Sequence, residues 1–151
     1  MKAICNGRFI LPQEIREGQA LLFQEKILGF CSPDRIPPEA ERIDVQGDYV
    51  SPGFLNLHIH GCGGKDVMDG TQEALRTMSR LLPSTGVTGW LPTTMTSGRG
   101  AITQALTTIR EAQGTVAGAD ILGANLEGPF ISEKYKGAQK PCHIRKASWE
   151  L

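Results

Sequence analysis

The chain has 151 residues in which 16 Lys and Arg balance 16 Asp and Glu, so no net charge draws it to a nucleic-acid backbone or an anionic membrane surface. No apolar run approaches the about 20 residues of a membrane span, and Asn6, Gly7 and Arg8 interrupt the opening residues before an export signal could form. Cys5, Cys31, Cys62 and Cys142 are widely spaced and form no Cys-x-x-Cys pair, which speaks against a disulfide framework or a zinc knuckle and for reduced thiols in a cytoplasm.

In chain order, short strands are predicted over residues 2–6, 8–11, 19–23, 26–30 and 42–45, divided by turn residues such as Gly7, Pro12, Gly18 and Ser32-Pro33-Asp34. The Ile36-Pro37-Pro38 segment is a connection, because each proline disfavours helix in the residue before it. Residues 1–52 therefore read as a small β-sandwich segment. The run Phe54, Leu55, Leu57 and Ile59, opened by Pro52-Gly53 and closed by Gly61, Gly63 and Gly64, reads as a strand buried on both faces.

Beyond the glycines the apolar period lengthens. A helix is predicted over 71–82 with Ala74, Leu75, Met78, Leu81 and Leu82 on its buried face, Asp69 or Thr71 as cap and Pro83 at its end. A second strand follows over 86–94. Ser97 is placed to cap a second helix that buries Ala101, Ile102, Ala105, Leu106 and Ile109 and stops near Gly114. A third strand over 120–126 delivers Glu127, and residues 131–151 read as a polar, loop-like tail until Ala147. Strand, helix, strand, helix, strand implies an α/β fold with parallel pairing. Side chains of interest gather at strand C-termini, with Thr93 and Thr94 after the second strand, which favours the start of a (β/α)8 TIM barrel in residues 53–151. No Gly-x-Gly-x-x-Gly joins the first strand to the first helix, which argues against a doubly wound sheet.

His58 and His60 lie two apart in the first strand, so their side chains leave the same face, with alpha carbons about 7 Å from each other. Desolvating two imidazoles without partners is costly, and a metal ion supplies the partner. The plainer alternative is a pair of hydrogen-bonded core histidines. Glu127, before Gly128-Pro129, adds a carboxylate oxygen, and two nitrogens with one oxygen suit zinc or a similar divalent ion that keeps a position open. Its alternative is a turn cap or an ion pair with Lys134 or Lys136. Cys62 reads as a small buried residue, and His143, in a polar loop, is not assigned as a ligand.

Pro52-Gly53-Phe54-Leu55-Asn56-Leu57-His58-Ile59-His60-Gly61 resembles the metal-binding signature of the amidohydrolase superfamily. Leu126-Glu127-Gly128-Pro129-Phe130, together with Lys136-Gly137-Ala138, resembles the N-acetylglucosamine-6-phosphate deacetylases within it. That resemblance implies a barrel hydrolase that takes acetate from a phosphorylated amino sugar, with a divalent metal, zinc foremost, as one or two ions. It implies that His58, His60 and Glu127 are metal ligands, that Ala138 and Gln139 touch the sugar, and that the full-length enzyme is a homodimer. Asn56 stands where the superfamily usually has Asp and is taken to point away from the histidines. Gln139 stands where the deacetylases typically have His; it can hydrogen-bond but cannot carry a proton.

A complete barrel takes about 250 residues, so the chain is expected to be the N-terminal part of such an enzyme, inactive alone. On that expectation two further histidine ligands and the general base, an aspartate, lie beyond Leu151, and no catalytic residue is assigned within the chain. Two other readings stay open: a non-catalytic metal-binding or assembly module completed by a second polypeptide, and an amidohydrolase acting on a cyclic amide or another acetylated sugar.

Overall fold

A computed structural model describes residues 1–148. Two compact units divide the chain, Met1–Pro52 and Gly53–Leu151.

The first unit holds seven short strands: β1 (Lys2–Cys5), β2 (Arg8–Ile10), β3 (Ile15–Arg16), β4 (Ala20–Phe23), β5 (Ile27–Cys31), β6 (Glu41–Asp44) and β7 (Tyr49–Val50). They form a four-stranded sheet ordered β5-β4-β1-β6 and a three-stranded sheet ordered β3-β2-β7. β1 pairs antiparallel with β4 and parallel with β6, and β2 pairs antiparallel with β3 and parallel with β7. Phe9 of β2 is buried and meets Phe30 of β5 edge to face, with ring centroids 5.0 Å apart, a favoured aromatic arrangement. The five predicted strands are present to within a residue at each end. β3 and β7 were not predicted, because two-residue strands carry no alternation to read.

The second unit begins with β8 (Phe54–Ile59), followed by a small antiparallel ribbon of β9 (Gly61–Cys62) and β10 (Lys65–Asp66). Gly63 and Gly64 turn that ribbon at φ 63° and 73°, where side-chain-bearing residues are strained. Helix α1 (Gln72–Leu81), strand β11 (Val87–Pro92), helix α2 (Arg99–Ala112) and strand β12 (Asp120–Ile121) complete it. The sheet runs β12-β11-β8 with both pairings parallel. The fold is α/β, and the described strands form an open sheet.

Leu75, Met78, Ala105, Ile109 and Ala112 of the two helices share one core with Val87, Trp90 and Ile121 of the sheet. Trp90 is fully buried, and its indole N–H donates to Ser79 Oγ at 3.1 Å, as a buried indole requires. The Thr71 hydroxyl caps α1 by accepting the Ala74 N–H at 3.2 Å. Asp69, the other predicted cap, instead accepts the Asp66 N–H in the preceding turn.

Several expectations are corrected. Leu81 is exposed on α1 and Ser79 is buried in its place, because the buried stripe follows 75, 78, 79 and 82 at helical spacing. On α2, Ala101 is exposed, and Thr108 and Ala112 join Ile102, Ala105 and Ile109. Thr108 is buried at no polar cost, since its hydroxyl lies 2.9 Å from both Gly70 O and Gln104 O. Ser97 does not cap; the N-cap is Gly98, with no side-chain bond. β8 is not buried on both faces: it is an edge strand with β11 as its one neighbour, and Phe54, Leu55 and Leu57 are 67%, 60% and 61% exposed.

The third strand is regular for Asp120–Ile121 only, although Leu122 and Asn125 still donate to Trp90 O and Pro92 O at 3.0 and 2.9 Å. The chain therefore stays beside β11 as far as Glu127. Short helical turns at Glu133–Tyr135 and Pro141–His143 interrupt an otherwise irregular tail. The last three positions of the predicted tail, 149–151, lie outside the described residues.

Candidate metal centre

β8 carries His58 and His60 to its C-terminal end, and the segment after β12 carries Glu127 to the same edge. Thr93, just past β11, ties these ends together. Its N–H donates to Ile59 O, and its Oγ1 accepts the Ile59 N–H, both at 3.0 Å. The Thr94 hydroxyl accepts the Glu127 N–H at 3.2 Å, and Thr94 N–H donates to Asn125 O at 3.0 Å. Both threonines are fully buried, so these strand-end residues serve as scaffold.

Three side-chain atoms converge. Glu127 Oε2 lies 3.1 Å from Nε2 of both His58 and His60, and the two Nε2 atoms are 3.3 Å apart. Among the described residues this is the one group of three His, Cys, Asp or Glu side chains arranged to hold a metal ion. His143, in the Pro141–His143 turn, is not part of it. Neither short contact of Glu127 Oε2 has hydrogen-bond geometry, so this buried oxygen has no hydrogen-bond partner among the described residues. An unpaired buried carboxylate oxygen is costly, and a cation removes the cost. The size also fits: points equidistant from the three atoms lie about 1.8 Å from each in their common plane and reach, just off it, the bond lengths of about 2.0–2.1 Å that zinc makes to nitrogen and oxygen, as an ion with an open position requires.

Hydrogen bonds behind the three atoms set their state. His60 Nδ1 lies 3.1 Å from the carbonyl oxygen of Thr93, which can only accept. The proton therefore belongs on Nδ1, which leaves the Nε2 lone pair facing Glu127 and free for a cation. His58 Nδ1 lies 3.3 Å from the Asn125 amide nitrogen. The same amide nitrogen lies 3.4 Å from Thr93 Oγ1, which donates its own proton to Leu91 O at 3.1 Å, so Asn125 links His58 to Thr93. Sequence reasoning passed over Asn125. The available signal was its position two residues before Glu127, on the same side of an extended segment.

Asn56 requires a correction. Side chains of a strand alternate, so residues 56, 58 and 60 share a face, and Asn56 Oδ1 accepts the His58 N–H at 3.0 Å. It helps to position the histidine it was taken to avoid. Cys62 is partly buried against the core, where burial pushes its thiol pKa up, as suits an unreactive residue.

Gln139 is 4% exposed. Its Nε2 donates to Glu127 Oε1 at 2.6 Å, and its Oε1 accepts the Thr96 N–H at 2.7 Å. Ala138 beside it is exposed. Gly128, at φ 74°, lets the chain pass Thr96, where an added Cβ would collide with the threonine hydroxyl.

No protein-family model matches the chain. It is 42% identical over 119 residues to an N-acetylglucosamine-6-phosphate deacetylase of Bacillus subtilis, covering 76% of this chain and 30% of the relative. It is 37% identical over 148 residues to an N-acetylgalactosamine-6-phosphate deacetylase of Escherichia coli, covering 97% and 38%. In structure it is similar to an N-acetylglucosamine-6-phosphate deacetylase from Pasteurella multocida, with a TM-score of 0.88 and 29% identity over 99% of this chain and 40% of that one. The chain thus spans roughly a third of the length of the curated relatives it matches.

Proposed function

The chain belongs to the N-acetylglucosamine-6-phosphate deacetylase family, and from that we propose that it supplies the metal-binding portion of an amide hydrolase acting on an N-acetylated amino-sugar 6-phosphate. The observation that carries this reading is the convergence of His58 Nε2, His60 Nε2 and Glu127 Oε2 on one point, with the carboxylate oxygen otherwise unpartnered.

In this reading His58, His60 and Glu127 hold a divalent cation, with zinc favoured by the two imidazoles and one carboxylate. Such a cation, when bound, supplies Lewis acidity that polarises an acetyl carbonyl and acidifies water. The chain's own contribution is placement. Thr93 holds His60 in the tautomer a cation needs, Asn56 and Asn125 flank His58, and Thr94 fixes the backbone at Glu127. Substrate contact in the Lys136-Gly137-Ala138-Gln139 segment is assigned to exposed Ala138, because Gln139 is buried with both ends of its amide bonded within the chain.

We further infer that turnover requires groups these 151 residues do not contain, among them a proton-transferring carboxylate, and that the parallel sheet is part of a (β/α)8 barrel. Coverage of roughly a third of the relatives supports this reading. The four cysteines are all unpaired, which suits a reducing cytoplasm.

The test is a chimera in which this chain replaces the matching segment of the Bacillus subtilis relative, assayed for acetate release from the 6-phosphates of N-acetylglucosamine and N-acetylgalactosamine. Turnover is expected for the chimera and none for the 151 residues alone, with Glu127→Ala lowering the chimera's rate by at least about a hundredfold. Full activity of Glu127→Ala, or robust turnover by the short chain, would overturn the reading.

A further inference from the structure

Gln139 is a buried side chain whose two amide ends are both committed. A backbone N–H can only donate and a carboxylate oxygen can only accept. The amide therefore has one orientation that serves both neighbours: Oε1 toward the Thr96 N–H at 2.7 Å, and Nε2 toward Glu127 Oε1 at 2.6 Å. The consequence falls on Glu127. One of its oxygens is taken by Gln139, and the other, Oε2, is left facing both imidazole nitrogens at 3.1 Å.

We propose that Gln139 is a positioning residue that restricts Glu127 to one-oxygen coordination of a cation held with His58 and His60. This rests on the metal reading of those three residues and deepens it. The bracket is anchored away from the cation: Thr96 lies past the C-terminal end of β11, and its N–H is itself buried. The carboxylate is thus braced against the segment that joins β11 to α2, and not only within its own loop. A glutamine does this without titrating, so the brace does not loosen as pH changes around neutrality. Hydrogen bonds of this kind, made behind a ligand, are worth on the order of 10- to 100-fold in metal affinity.

The test uses the full 151-residue chain, titrated with zinc against a competing chelator and then loaded with cobalt(II) as a spectroscopic probe. Gln139→Met keeps the volume and removes both hydrogen bonds. Gln139→Asn keeps a polar amide but is one methylene too short to span both partners, and it stands in if the methionine variant does not fold. Far-ultraviolet circular dichroism checks folding. Zinc affinity is expected to fall about tenfold or more. The visible cobalt bands should also weaken and shift as Glu127, freed at Oε1, binds through both oxygens and raises the coordination number, a change that a merely structural role for Gln139 would not produce. Glu127→Gln separates the two claims. If it binds zinc as the unmodified chain does, the metal reading falls and the brace falls with it. If it loses zinc while the folded Gln139 variant keeps the original affinity and spectrum, the brace alone is refuted.

Discussion

Glu127 divides its two oxygens between a neutral amide and a pair of imidazoles, and each of its neighbours makes a separate claim at the scale of single residues. Thr93 O fixes the His60 tautomer, but through a backbone carbonyl, so no Thr93 side-chain substitution removes it. His60→Ala and His58→Ala should each weaken zinc binding by at least about tenfold, measured by chelator competition; unchanged affinity in either would take that residue out of the site. Away from the site, Asp44 is held below the usual carboxylate range by the Gln46 N–H first and the Asn6 amide second. A depressed carboxylate contributes stability above its unfolded pKa and loses that contribution as pH falls through the folded one. Asn6→Ala should therefore move the Asp44 titration midpoint upward in an NMR titration, and a midpoint that stays put would show that the amide contributes nothing. For the thiols, Cys142 is exposed and Cys62 partly buried with a raised pKa. Alkylation at neutral pH should therefore mark Cys142 before Cys62, as peptide mass mapping would read.

Among the elements, α1 and β11 are joined by a single polar contact inside an apolar core, the Trp90 indole on Ser79 Oγ. Ser79→Ala leaves a buried donor unpaired and should cost about 1–3 kcal/mol in urea unfolding, more than the about 1 kcal/mol expected for removing the α1 cap in Thr71→Ala. The reverse order would mean that the indole finds another acceptor. This contact also shows where sequence reading runs out. Leu75 and Met78 were legible from helical spacing, but Ser79 reads as a polar surface residue until Trp90 stands opposite it. The same holds at the candidate metal site. His58, His60 and Glu127 were legible because their types and strand-end positions limit what they can do. Gln139, 12 residues beyond Glu127, touches that carboxylate only through a loop path that no periodicity encodes. Strand β8 failed in another way: its apolar run says that the strand prefers burial, and nothing in the run says which neighbours provide it.

At the scale of the whole molecule, Phe54, Leu55, Leu57, Leu122, Leu126 and Phe130 are large apolar side chains left exposed in the second unit, the first three on the edge strand β8 and Leu122 just past β12, beside Leu55 over Gly89. An edge strand with an apolar surface favours pairing with another chain. Sedimentation velocity should therefore show concentration-dependent self-association that Leu57→Lys reduces; a sharp monomer boundary at all concentrations would show that this surface is tolerated in water. The His58, His60 and Glu127 cluster lies at the C-terminal ends of the three parallel strands, which is the end where parallel α/β folds place their chemistry. The scaffold and the proposed hydrolase reading thus agree on where a substrate would approach. X-ray absorption of the zinc-loaded chain tests that agreement most directly. The account predicts an inner shell that includes two imidazoles and one carboxylate oxygen and loses its imidazole scattering in the His58→Ala, His60→Ala double variant. A shell dominated by sulfur, or one unchanged in the double variant, would contradict it.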